Sequence, residues 1–129
     1  MQKTILIAAS LAGMTAVVLG AFGAHGLRSL ISPEHLFMWE KGVQYQFYHA
    51  ITLFLCFLFL RKEDSKAIRN AFWCFMIGIL FFSGSLYLLA TREITQIPVV
   101  ILGPVTPIGG LFFIAGWSLI LWEAIRRKQ

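Results

Sequence analysis

Four long apolar stretches, separated by shorter polar segments, dominate the pattern of the chain. They lie at residues 4–25, 43–60, 69–91 and 107–125. Each holds about 18 to 23 residues, and a helix of that length crosses the ~30 Å hydrocarbon layer of a bilayer at 1.5 Å per residue. The pattern predicts an all-α integral membrane bundle of four transmembrane helices, folded as one domain over residues 1–129.

Local signals predict where the second helix starts. Ser32, Pro33 and Glu34 are, in order, an N-cap residue, a first-turn proline and an early acid. Together they favour a helix that begins near Pro33. Because the apolar run starts only later, we expect residues 33–42 to lie at the membrane interface, with Trp39 as an anchor.

The segment before the fourth helix is apolar but interrupted. Residues 94–105 contain two prolines and a glycine, so we interpret them as an interfacial or re-entrant loop. A longer, kinked fourth helix is the alternative. Thr106 and Pro107 repeat the start signal of the second helix, which predicts that the fourth helix begins there.

Composition supports a membrane location. Hydrophobic residues make up 58% of the chain and charged residues 13%, whereas soluble domains average about 45–50% and about 25%. This excess of apolar side chains predicts that the lipid bilayer is the partner of most of the surface. The net charge of +5 could suggest nucleic acid, but the cations lie at the ends of the apolar stretches, so no nucleic-acid partner is expected.

The cations also predict the orientation. Eight lie on the side of the two termini, and three lie on the other side. The eight are Lys3, Arg61, Lys62, Lys66, Arg69, Arg126, Arg127 and Lys128, and the three are Arg28, Lys41 and Arg92. The positive-inside rule therefore predicts a multi-pass protein of the cell membrane with both termini in the cytoplasm. The first stretch also resembles a cleavable secretion signal, but its apolar length favours an uncleaved span.

Small residues recur at every fourth position of the first stretch and also occur in the third and fourth stretches. The positions that we expect at helix–helix contacts are Ala12, Ala16, Gly20, Ala24, Gly84, Gly109 and Gly110. Such spacing lets helix backbones approach closely in lipid, where no hydrophobic force drives helices together. The same faces make a homo-oligomer or a membrane-protein partner plausible.

Polar residues of all four stretches fall in the outer half of the predicted bundle. The candidate cluster comprises His25, Gln46, His49, Ser83, Ser85, Tyr87 and Thr106. Polar side chains within a membrane usually face the bundle interior, because exposure to lipid is costly. We expect the glycines of GAFGAHGL (20–27) to let the first helix end against its neighbours, with His25 pointing into the cluster or capping it. His35, in the interfacial start of the second helix, is expected at the surface.

Four motifs in order resemble a known family. They are GAFGAHGL, WEKGVQYQFYH, FSGSLY and GPVTPIGG, the last followed by Gly116-Trp117. Together they resemble the domain of unknown function 423 family, small bacterial membrane proteins related to the eukaryotic transmembrane protein 256. The resemblance implies four spans and importance of the motif residues. It implies no substrate and no catalytic residues.

The hypothesis that we favour is a structural module that binds lipid or a partner and performs no chemistry, without a cofactor. An alternative is transport of a small solute or of protons, in which buried histidine, glutamine and tyrosine side chains would relay protons. A second alternative is a haem or metal site, for which His25 and His49 are the weak candidate ligands. Catalysis by Ser83 or Ser85 with His49 is least favoured, because we find no acid to orient the histidine.

Overall fold

The computed structural model describes residues 1–127, so Lys128 of the predicted cation count lies outside the described residues. The helices in chain order are α1 (Gln2–Phe22), α2 (Pro33–Lys62), α3 (Lys66–Gly78), α4 (Gly84–Ala90), α5 (Arg92–Thr95), α6 (Val99–Leu102) and α7 (Val105–Arg126). A π-helical turn, Gly23–Leu27, extends α1, and a second one, Ile79–Ser83, joins α3 to α4.

Four continuous helices are long and apolar enough to cross a membrane. They are Gln2–Leu27, Pro33–Lys62, Lys66–Ala90 and Val105–Arg126. Helix α1 packs mainly against α2, and α3 packs mainly against α7, while α2 also contacts α3 and α4. The predicted fold class, an all-α bundle with four membrane-spanning helices, is confirmed.

The start of α2 has the cap that its sequence predicts, but its surroundings differ from the expectation. Ser32 is the N-cap, and its hydroxyl oxygen accepts a hydrogen bond from the His35 amide at 3.4 Å. Both His35 and Trp39 are only 5% exposed, so His35 is not at the surface as expected, and Trp39 is covered by the rest of the protein. The Trp39 indole N–H instead donates to the Leu19 carbonyl oxygen of α1 at 2.8 Å. One face of the first turns of α2 therefore packs against the rest of the bundle.

The glycines of residues 20–27 explain how Trp39 becomes buried. A Cβ atom at Gly23 would lie 2.5 Å from Trp39 Cδ1, so only glycine leaves room for the indole ring. Trp39 also packs against Tyr87, with ring centroids 4.7 Å apart, and Ala90 lies in the same buried apolar cluster. The end of α1 thus rests on a large aromatic side chain of α2.

The main apolar core lies between α1, α2, α3 and α7. Its buried members are Ile5, Ala9, Leu53, Cys56, Leu60, Ile68, Ala71, Phe72, Phe75 and Phe113. Two glycine–phenylalanine pairs hold α3 against α7. A Cβ at Gly116 would lie 2.6 Å from Phe75 Cε1, and a Cβ at Gly78 would overlap the ring of Phe113. Each of the two helices thus packs a phenylalanine ring against a glycine of the other.

Some of the small residues predicted at helix–helix contacts lie against a neighbouring helix, and others do not. Ala16 is buried, Ala12 and Gly20 are half-buried, and a Cβ at Gly110 would meet Phe82 only at an ordinary distance. The tightest position is Gly109, where a Cβ would lie 2.8 Å from Phe82 Cα. Ala24 and Gly84 differ from the expectation. Ala24 is exposed, and a Cβ at Gly84 would meet no atom within 4 Å, because both face away from the neighbouring helices.

The segment before α7 forms two short helices. Helix α5 ends at Thr95 and is capped by Gln96, which has a left-handed backbone with φ 55°. Helix α6 ends before the Gly103-Pro104 turn. Pro104 occupies the N-cap position of α7, so the helix starts slightly before Thr106. This turn separates the short helix α6 from α7.

A polar contact joins the start of α2 to α5. His35 Nδ1 lies 2.6 Å from Glu93 Oε1, and the Ser32 amide donates to Glu93 Oε2 at 3.2 Å. Desolvation opposes ionisation of Glu93, but the Ser32 amide and His35 together hold the pKa of its carboxyl group below the ordinary value. The contact fixes the short helix α5 beside the loop that follows α1.

We predict that Gly109→Ala destabilises the protein by about 1–3 kcal/mol, the usual cost of overpacking. The added methyl group would overlap the Phe82 backbone, which cannot move without displacing a whole helix. Gly84→Ala is the matched control and should be neutral or slightly stabilising, because its methyl group meets open space. Unfolding in detergent, followed by circular dichroism, measures both. Equal effects of the two substitutions would contradict the assigned packing.

We predict that Glu93→Gln lowers stability near neutral pH, and that this difference from wild type disappears in acid. A carboxyl group whose pKa is lowered by folding stabilises the native state above its ordinary pKa, about 4. That contribution is lost as the pH falls through the lowered native value. Thermal unfolding of both proteins across this range measures the difference. A pH-independent difference, or the same pH dependence in the control Glu34→Gln, would contradict the prediction.

Candidate functional site

Gln46 is the centre of the buried polar residues. Its amide nitrogen donates to the Ala12 carbonyl oxygen at 2.9 Å and to the Thr15 hydroxyl at 2.8 Å, both on α1. Its amide oxygen accepts a hydrogen bond from the Tyr87 hydroxyl of α4 at 2.8 Å. One side chain of α2 therefore links three helices and uses both donors and its acceptor. Its 5% exposure makes those partners necessary.

A second polar contact joins α4 to α7. Ser85 Oγ lies 2.6 Å from Thr106 Oγ1 and also 3.0 Å from the Phe82 carbonyl oxygen, to which it donates. Because a serine hydroxyl has one proton, Thr106 must be the donor to Ser85. Thr106 thus bonds to a neighbouring helix instead of capping its own.

His49 joins α2 to α7. Its Nδ1 lies 2.7 Å from the Tyr45 carbonyl oxygen, which can only accept, so Nδ1 carries the proton. Its Nε2 accepts a hydrogen bond from the Trp117 indole N–H at 3.4 Å. The imidazole ring stacks on Phe113 with a centroid separation of 3.5 Å. These partners fit a neutral imidazole with its proton on Nδ1.

Ser83 is fully buried, and its hydroxyl has no hydrogen-bond partner in the described part of the chain. Its carbonyl oxygen lies beside Gly42, where a Cβ would be 3.3 Å away. Among residues 1–127, no hydrogen bond joins His49 to Ser83 or Ser85. The serine–histidine pair that the sequence suggested as nucleophile and base is therefore not hydrogen-bonded in the described part of the chain.

His25 is the predicted cluster residue that the structure does not bring to the others. It is exposed, and it neither points into the polar residues nor caps them. The reason is its position two residues after Gly23, since two helical residues turn the side chain to roughly the opposite face. Gly23 faces Trp39, so His25 faces outward. Among residues 1–127, the hydrogen bonds and ring contacts of His49 do not include His25. The same range contains no group of three or more His, Cys, Asp or Glu side chains that could hold a metal ion.

Several partners were missed by the sequence analysis. Thr15 accepts a hydrogen bond from Gln46, and Trp117 donates one to His49. Both carry a polar group within an apolar stretch, and this feature of the sequence could have identified them as partners. Glu123 is a carboxylate within the fourth apolar stretch. It is buried near the end of α7 and pairs with Arg126 at 3.1 Å and Arg127 at 3.0 Å. This ion-pair group lies at the opposite end of the bundle from the candidate cluster.

A groove between α1 and α2 is a concave feature of the bundle surface. A cavity of about 550 Å³ occupies its middle, a second of about 390 Å³ one end, and a third of about 210 Å³ the other end. The middle cavity shares Gly20, Val43 and Gln44 with the second cavity and Phe47 with the third, so the three are continuous. We call them together the α1–α2 groove.

The two walls of the α1–α2 groove have different chemistry. Helix α1 contributes mainly small side chains, and α2 contributes larger ones. The lining residues of the middle cavity are Ala16, Val17, Gly20, Ala21, Val43, Gln44, Phe47 and Tyr48. Charged residues occur only at the end with the 390 Å³ cavity, which Glu40 and Lys41 line. The groove is therefore a mainly apolar depression on the bundle surface, with charged residues at one end.

Comparison with known proteins gives a consistent picture. The model of a family described as a protein of unknown function (DUF423) matches residues 19–110. A UPF0382 membrane protein of Staphylococcus haemolyticus is 44% identical over 93% of each chain. UPF0382 membrane protein YwdK of Bacillus subtilis is 41% identical over 97% of this chain and 98% of its own.

No solved structure matches the chain. The family match covers most of the chain, including the residues around Gln46, His49 and Ser85, and the relatives cover nearly all of it. The names of these relatives describe membrane proteins, in agreement with the four apolar helices. The chain belongs to the DUF423 family of membrane proteins of unknown function.

Proposed function

We propose that the protein is a non-catalytic, lipid-binding module of the cell membrane, in which the α1–α2 groove accommodates an acyl chain. The observation that carries the proposal is the continuous apolar groove on the bundle surface. In a bilayer, acyl chains are the molecules that surround such a surface. The buried polar residues then serve to hold the helices that form the groove.

The dimensions of the groove fit one lipid chain. Eleven residue steps separate Ala9 at one end from Gly20 at the other. At 1.5 Å per residue they span about 16 Å, about half of the ~30 Å hydrocarbon layer. This is the depth of one leaflet, which is the length over which one acyl chain extends. Gly13, Ala16 and Gly20 have no side chain or only a methyl group, so α1 leaves space for the chain along this path.

The hydrogen bonds of the polar residues support a structural role. Gln46 and His49 direct their polar atoms to protein partners, and the Ser85 and Thr106 hydroxyls bond to each other. A proton relay needs a group that can pass a proton onward, but the Trp117 indole can only donate to His49. We therefore propose neither a transport path nor a cofactor site through these residues.

We further propose that both termini face the cytoplasm. The support is the distribution of cations, since Lys3, Arg61, Lys62, Lys66, Arg69, Arg126 and Arg127 lie at one end of the spans. Arg28, Lys41 and Arg92 lie at the other end. The positive-inside rule assigns the richer side to the cytoplasm.

We predict that the purified protein retains phospholipid and that Ala21→Phe reduces this retention several-fold. Ala21 lines the groove and is exposed, so a phenylalanine there fills the channel without disturbing the bundle interior. Native mass spectrometry after mild-detergent purification counts bound lipids. Ala24→Phe is the matched control, because Ala24 is also exposed on the same helix end but outside the groove lining.

Two results would contradict the lipid-binding proposal. One is a wild-type protein that carries no lipid in mild detergent. The other is proton or solute flux into liposomes that depends on His49, because flux that His49→Phe abolishes without unfolding would favour transport.

We predict that a cysteine at Ser29 reacts with a membrane-impermeant maleimide in intact cells, and that one at Asp64 reacts only after the membrane is opened. Ser29 is exposed between α1 and α2, and Asp64 is exposed between α2 and α3. The wild-type protein corrects for labelling of Cys56 and Cys74. The reverse labelling pattern would place the termini outside.

A further inference from the structure

The charged end of the α1–α2 groove indicates which lipid the groove takes. We infer that the groove selects a glycerophospholipid whose zwitterionic headgroup carries both a phosphate and a free ammonium group. In this arrangement Lys41 binds the phosphate and Glu40 binds the ammonium. The inference rests on the proposed lipid-binding function and adds the headgroup class to it.

The position of the charges is the first argument. Glu40, Lys41 and Gln44 line the 390 Å³ cavity, which shares Gly20 and Val43 with the apolar middle of the groove. An acyl chain that follows the groove from Ala9 towards Gly20 therefore reaches these polar side chains at its headgroup end. Elsewhere in the groove, the described lining contains no ionisable carboxylate or amine.

The ammonium group of Lys41 is positioned to bind an anion in the groove. Its ammonium group donates to Gln44 Oε1 at 2.9 Å and lies 5.1 Å from the centroid of the Phe37 ring. These neighbours hold the long side chain at the cavity, and the half-buried position limits screening by water. A lysine ammonium group has three donors, and no carboxylate within residues 1–127 forms an ion pair with it. Two donors therefore remain for phosphate oxygens.

The carboxylate of Glu40 indicates which class of headgroup fits the groove. It is exposed at the same cavity and forms no ion pair with any described cation. The two adjacent residues present one negative and one positive charge, so their sum is zero at neutral pH. A headgroup with a phosphate and an ammonium group matches both charges, whereas a headgroup with a phosphate alone would leave Glu40 facing a second anion.

The test compares two synthetic phospholipids with identical acyl chains, one with an ethanolamine headgroup and one with a glycerol headgroup. Native mass spectrometry of delipidated protein in an equimolar mixture measures the ratio of bound lipids. We expect wild type to prefer the ethanolamine lipid about two- to fivefold, the range expected for one solvent-accessible charge pair. Glu40→Gln should remove or reverse the preference, and Lys41→Gln should weaken binding of both lipids. Glu34→Gln, on the same helix but outside the lining, is the control and should behave as wild type.

Three outcomes would overturn the inference, and they are distinguishable. Equal binding of both lipids, unchanged in Glu40→Gln but lost in Ala21→Phe, would remove the headgroup assignment and leave the lipid groove in place. A preference for the glycerol lipid that Lys41→Gln abolishes would replace the zwitterionic class with an anionic one. If neither lipid bound to wild type, the proposed function itself would be contradicted.

Discussion

A polar group inside a membrane bundle has no water to bond to, so it must find its partners in the protein. Gln46 meets this requirement by bonding to α1 and α4 at once, which fixes three helices relative to one another. The pairs Ser85–Thr106 and His49–Trp117 then attach α7 to α4 and to α2. Because lipid provides no hydrophobic force between helices, these contacts and close packing determine how the four spans assemble.

Glycines make these polar contacts possible by bringing the helix backbones together. A Cβ at Gly42 would lie 2.8 Å from the Tyr87 ring, so glycine there lets the tyrosine lie across α2 and reach Gln46. Gly109 lets α7 approach Phe82, which brings the short Ser85 and Thr106 side chains within 2.6 Å of each other. The interior is thereby closed around the paired polar groups and the Ser83 hydroxyl, which has no partner in the described part of the chain, and a groove remains on the surface between α1 and α2. For this reason we propose that lipid binds in the groove and that the polar residues stabilise the bundle.

The amino-acid sequence predicts the spans and the location of the polar residues because both follow from position along each helix. Apolar length identifies the helices, and the Ser32 cap marks the start of α2. Six of the seven candidate polar residues lie in the packed interior of the bundle, and five of their hydrogen bonds cross between helices.

The direction in which each side chain faces could not be predicted, because it depends on how each helix is rotated against its neighbours. His25 faces outward because the opposite face of the helix, at Gly23, packs against Trp39. The buried His35 contacts Glu93, a residue distant in the sequence. The groove is equally invisible in the sequence. It arises from the gap between two helices, and a single helix has no such property.

The most direct test of the central claim is a double-mutant cycle between Gln46 and Tyr87. Tyr87→Phe, Gln46→Met and the double substitution are compared by reversible unfolding in bicelles, with Tyr45→Phe as the control on the neighbouring face of α2. If the Tyr87–Gln46 hydrogen bond holds α2 to α4, the double variant is less destabilised than the sum of the single variants, by about 0.6–1.7 kcal/mol. Strict additivity, or an equal coupling between Gln46 and Tyr45, would contradict the account.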